Sequence, residues 1–130
     1  MKHIQAFLLI CAALLSSAAH SQSEPPEAEQ VTQLIITLAK LTDMANACGE
    51  HMNYFGKKAL DGAVCKEFTQ EFSNHWDSRE ALQLEVVDYT NQLETGQLVC
   101  ERCKLMLERV EELRIGINYH LDYMDFIAEF

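Results

Sequence analysis

From Val31 onward the chain places apolar residues at steps of three and four. Val31, Leu34, Ile35, Leu38, Leu41, Ala45, Cys48, Met52 and Phe55 fall on one face of a helix of about seven turns. Gly56 follows, where a helix-ending glycine belongs, and Gly49 weakens the run from within. Leu60, Val64, Phe68 and Phe72 mark a second helix, of roughly 18 residues, that stops near Asn74, His75 and Trp76. Asp77 is the expected N-cap of the third helix, with Glu80 reaching back. That helix carries Leu82, Val86, Tyr89 and Leu93. Thr95 and Gly96 form the turn signal before the fourth. The fourth has the most regular pattern: Val99, Cys103, Met106, Val110, Leu113, Ile117, His120, Met124 and Ile127. Its steps alternate between four and three, a 3.5-residue repeat that suits near-parallel helices crossing at about +20°. Strand-like alternation and internal repeats are absent from the sequence.

Short connections make neighbouring helices antiparallel. The expected fold is therefore all-α, an up-down four-helix bundle stabilised by disulfides. Two long outer helices, the first and fourth, extend past two shorter central ones near Trp76 and Asp77. The competing arrangement runs the third and fourth helices together through Gly96.

The first 21 residues follow another logic. Lys2 supplies a positive start, Ile4 to Leu15 is apolar except for Gln5, and Ser16 to Ser21 is small and polar. Ala19, His20 and Ser21 fit a small-x-small cleavage site before Gln22. The apolar run is too short to span a bilayer. Cys11 lies inside that run behind Ile10, which does not fit a lipid-attachment site. Residues 1–21 are thus expected to be a signal peptide, 22–29 a flexible leader containing Pro25 and Pro26, and 30–130 a single helical domain. Export places the protein in the periplasm or outside the cell. Cleavage removes Lys2 and Cys11 and leaves Cys48, Cys65, Cys100 and Cys103, an even set that reads as disulfides in an oxidising compartment.

Composition narrows the function. Of 130 residues 48% are hydrophobic and 23% charged, and 20 acidic against 10 basic residues give a net charge of −10. That balance excludes nucleic-acid binding through a general basic surface and disfavours docking on anionic membranes.

Cys48 and Cys65 stand at nearly equal distances on either side of Gly56, so they are expected to face each other across the first hairpin. Cys100 and Cys103 would close a small ring where the fourth helix begins. In the bundle topology all four sulfurs fall in one layer at the same end. Two other readings attach to them. Cys100 and Cys103 form a CxxC at a helix N-terminus, with Arg102 between them, which lowers thiol pKa and suits redox chemistry. A thioredoxin-like enzyme needs a βαβ context, and the chain has none. The four cysteines together could hold zinc, with His51 as a substitute ligand, but their spacing is not that of a zinc ribbon. Haem attachment would need a histidine where Lys104 stands. The preferred reading has no cofactor and no metal.

His51, His75 and His120 are too far apart to pair. His120 sits on an apolar stripe and is expected to be a hydrogen-bonded core residue, with Tyr119, Tyr123 and Asp125 as its neighbourhood. Met44, Met52, Met106 and Met124 read as core filler. Glu108, Glu111 and Glu112 form an acidic stretch on the outer face of the fourth helix, a candidate partner-binding surface whose plainer reading is a solvated face. The sequence has no nucleophile elbow, P-loop or dinucleotide fingerprint. These features favour a small exported acidic protein, not an enzyme, that recognises or inhibits a partner protein with a basic surface. Periplasmic immunity proteins, which neutralise delivered toxins, share this profile of size, charge and compartment. The alternative is a thiol-redox or metal-handling protein acting through Cys100 and Cys103.

Overall fold

The computed structural model describes residues 26–130, with side chains from Ala28 onward. The expected signal peptide lies outside the described residues. Among the described residues four α-helices follow in order: α1 Pro26–Phe55, α2 Ala63–His75, α3 Arg79–Glu94 and α4 Cys103–Ala128. A 3-10 turn, Gly56–Asp61, links α1 to α2. The described residues contain no strand, so the fold is all-α.

α1 begins four residues earlier than the sequence pattern predicts. Pro26 to Glu29 form its first turn rather than part of a leader. Proline suits that position because its missing N–H would have no helical acceptor there. The predicted stripe is buried from Val31 to Met52 except for Ile35, which is half-buried, and Ala28 is added below it. Phe55 is exposed, because α1 ends with it and the chain turns off at Gly56. Gly56 has φ of 60°, a conformation that side chains with a Cβ rarely adopt.

The 3-10 turn takes up residues assigned from the pattern to the second helix, so α2 has only 13 residues. It buries Cys65, Phe68 and Phe72. Trp76 ends it in an extended conformation and is itself buried, its indole N–H donating to Glu85 Oε2 at 3.0 Å.

The cap of α3 is Ser78, not Asp77: the Ser78 hydroxyl accepts from the Ala81 N–H at 3.1 Å. The reason is register. Helical residues begin at Arg79, so Ser78 is the last extended residue, and Asp77 lies one position too far from the free N–H groups. α3 buries Leu82, Val86 and Tyr89.

Gly96, with φ of 77°, ends the helical path after Thr95, and the N–H groups of Gln97 and Leu98 both donate to the Gln92 carbonyl. α3 and α4 are therefore separate helices rather than one continuous rod. α4 starts at Cys103, so Val99 lies in the connection and is exposed, while its neighbour Leu98 takes the buried place. From Cys103 the buried stripe runs through Leu107, Val110, Leu113, Ile117 and Met124. Met106 is only half-buried, because Leu107 occupies the inward position of that turn.

α1 packs against both α2 and α4, and α3 packs against α4. The buried residues of all four helices form one core. Among the described residues no helix is long and apolar enough to cross a membrane.

Candidate functional site

The four cysteines fall into two pairs with their sulfurs at disulfide distance. Cys48 and Cys65 join α1 to α2 with a Cα–Cα separation of 4.6 Å, and Cys100 and Cys103 close a short ring with a separation of 5.2 Å. Both values fit the geometry a bridge requires. Cys48, Cys65 and Cys103 are fully buried, whereas Cys100 is only half-buried. The sulfurs do not converge as four ligands. No group of three or more His, Cys, Asp or Glu side chains is arranged to hold a metal among the described residues.

His51 and His75 are exposed on α1 and α2, and His75 Nε2 lies 3.3 Å from Glu71. Glu71 also receives a hydrogen bond from Lys40, and these two partners hold its carboxyl below the usual range.

His120 departs from expectation. It packs edge-on to Phe68 with ring centroids 4.9 Å apart, yet its Nε2 is buried without a hydrogen-bond partner. Asp125 does not serve it. Five residues apart on a helix, the two side chains point to different sides, and Asp125, with Asp122, is paired with Arg79 at the start of α3. Burial alone pushes the His120 pKa down. The folded chain thus favours the neutral ring, while the unfolded chain takes up a proton near pH 6.5. Stability is fully present above that pH and is lost as the pH falls below it. Urea unfolding at pH 7.5 and 5.5 is expected to show a larger drop in midpoint for the native protein than for His120→Leu. Equal drops in the two would remove His120 as the source. Glu50, Tyr119 and Tyr123 border the same cleft and are common to both proteins, so the difference isolates the imidazole.

The three acidic candidates divide. Glu111 accepts two hydrogen bonds from Arg114, at 2.8 and 2.5 Å, and the arginine side chain is only 15% exposed. This pairing holds the Glu111 carboxyl below its ordinary value and raises the Arg114 guanidinium. Glu111 therefore belongs to a structural ion pair. Glu108 and Glu112 are exposed, and Arg109 reaches Glu112 at 3.1 Å.

The acidic stretch has apolar company that charge counting misses. Leu105 (67% exposed), Ile115, Tyr119 (74%) and Phe126 all face solvent. With Glu108, Glu112 and Asp122 they occupy positions 105, 108, 112, 115, 119, 122 and 126. At 3.6 residues per turn these fall within about 100° of arc, centred opposite the buried stripe. The spacing is a second heptad pattern on the same helix and is legible in the sequence once the core stripe has been subtracted. Comparison of the chain with protein-family models, with curated proteins and with solved structures returned no match.

Proposed function

We propose that this protein is an exported acidic helical module that recognises or inhibits a partner protein in the periplasm or outside the cell. In this reading its four helices form an up-down bundle, with α1 and α4 as the long pair. The observation that carries the reading is the outer face of α4, where Leu105, Ile115, Tyr119 and Phe126 alternate with Glu108, Glu112 and Asp122. Exposed apolar side chains grouped on one face mark a surface that gains by being covered. Carboxylates between them steer association toward a basic partner and reject acidic ones. The signal peptide expected over residues 1–21 supports export, and N-terminal sequencing of exported protein should find Gln22 first.

The test uses the exported protein as bait on the producing organism's envelope fraction, followed by rate measurements on the partner recovered. Association should slow as salt rises, because exposed charges are screened beyond about 8 Å at physiological ionic strength. Glu108→Lys with Glu112→Lys should slow it by about tenfold and leave the fold intact. Leu105→Ala with Tyr119→Ala should act on dissociation instead. A flat salt dependence, with all four substitutions binding normally, overturns the α4 face as the recognition surface.

One observation favours a second reading. Cys100 is partly exposed just before the N-terminus of α4, where the helix dipole stabilises a thiolate. A thiol-redox protein would show two titratable thiols in natively isolated material, whereas the binding module would show four blocked cysteines.

A further inference from the structure

A groove of about 580 Å³ opens between α1, the end of α2 and α3, away from the outer face of α4. Glu29, Gln30 and Gln33 of α1 line one side, Glu85 and Tyr89 of α3 the other, and Trp76 lies between. We propose that this groove binds a small organic cation of the alkylammonium class.

Three observations carry the proposal. The first is uncompensated charge. Glu71, Glu111, Glu112, Asp122 and Asp125 are each held by a cationic side chain, but Glu29 and Glu85 make no ion pair among the described residues. No lysine or arginine lines the groove. His75 also lines the groove but is paired with Glu71 at 3.3 Å, so the two carboxylates face one concave space with no counter-charge of their own. The Glu85 charge is felt nearby: the Tyr89 phenol is pushed up first by burial and then by the charges of Glu85 and of Asp88 outside the groove.

The second is preorganisation. The Trp76 indole N–H donates to Glu85 Oε2 at 3.0 Å, and the Tyr89 hydroxyl donates to Gln30 Oε1 at 3.1 Å. Trp76 and Tyr89 are 8% and 9% exposed, so the walls are held by the core. A ligand meets groups already in place and spends little of its binding energy on ordering them.

The third is the lining itself. The volume lies in the range of small-molecule sites rather than single-ion sites. Aromatic and aliphatic surface from Trp76, Tyr89 and Leu34 suits methylene groups, and aromatic rings near a cation add attraction. Carboxylates set among carbon surface select an ammonium group on an alkyl chain over a hydrated metal ion. The same chemistry is presented by a free diamine and by a lysine side chain of a protein.

Trp76 is the only tryptophan in the chain, so its emission reports on the groove directly. The experiment titrates the protein at pH 7.5 with 1,4-diaminobutane, and separately with Nα-acetyl-lysine methylamide, at ionic strength held constant with sodium chloride. A saturable change in emission is expected. Glu29→Gln with Glu85→Gln should weaken it by about tenfold or more, since the charge-assisted bonds to the ammonium group are lost. The glutamine at position 85 keeps an acceptor for the indole, and far-UV circular dichroism verifies the fold. Asp43→Asn, at an exposed carboxylate outside the groove, should leave the affinity unchanged. Isothermal calorimetry gives the same affinities without relying on emission. Tighter binding of the diamine assigns the site to free amines, and tighter binding of the lysine amide assigns it to protein side chains. The proposal is overturned if neither probe saturates, if sodium alone produces the same change, or if the double variant binds as well as the native protein.

Discussion

Phe68→Ala is expected to destabilise the fold by about 3–5 kcal/mol, the range for removing a buried aromatic ring. Phe68 is the largest of the fully buried side chains and sits at the centre of α2's buried face. Its edge contact with His120 links α2 to α4, while the main partner of α2 is α1. Truncation would leave a cavity between three helices, and a short 13-residue helix has few other apolar anchors. Domains of this size are stable by about 5–15 kcal/mol in total, so the loss is a large share. Urea unfolding followed by circular dichroism measures it. Phe68→Leu, which keeps most of the volume, should cost less than about 1.5 kcal/mol. The cavity would also admit water to the unpartnered Nε2 of His120, so the acid sensitivity of the native protein should shrink in Phe68→Ala. A loss below about 1 kcal/mol would show that α2 is not held by its core face.

Removing the Cys48–Cys65 pair should have the next largest effect. The two residues are separated by 17 positions, and closing a loop of that length adds about 3 kcal/mol by restricting the unfolded chain. Both cysteines are fully buried, so Cys48→Ala with Cys65→Ala also removes packing between α1 and α2. For a domain near 100 residues the melting temperature should fall by about 10–20 °C. Cys100→Ala with Cys103→Ala should cost less, because a separation of 3 closes a small loop at the edge of one helix. Peptide mapping without reduction should recover a Cys48–Cys65 peptide. A Cys48–Cys100 peptide would instead bring the start of α4 against α1 at that level, and a Cys65–Cys103 peptide would bring it against α2.

What the sequence determined by itself is what depends on near neighbours in the chain. The three-and-four spacing assigns the helices and selects their buried faces, because a helix repeats every 3.6 residues whatever surrounds it. Gly56 and Gly96 announce the two turns with positive φ, since a residue without a Cβ reaches that conformation at little cost. The pairing of Cys48 with Cys65 follows from their nearly equal distances to the turn at Gly56. The second stripe on α4 was equally present in the spacing.

Only the tertiary structure decided the rest, because burial and pairing belong to the neighbour as much as to the residue. Phe55 and Val99 fit their stripes and are exposed, while Leu98 lies off the stripe and is buried, according to where the adjoining helix ends. Asp77 and Ser78 are both good caps, and the position of the first helical residue selected Ser78. Asp125 lies near His120 in sequence, yet it pairs with Arg79 on another helix and the ring nitrogen stays without a partner. The groove at Trp76 is assembled from Gln30, Glu85 and Tyr89, and its Tyr89–Gln30 bond spans 59 positions. No local pattern encodes such a meeting, because it depends on how three helices pack.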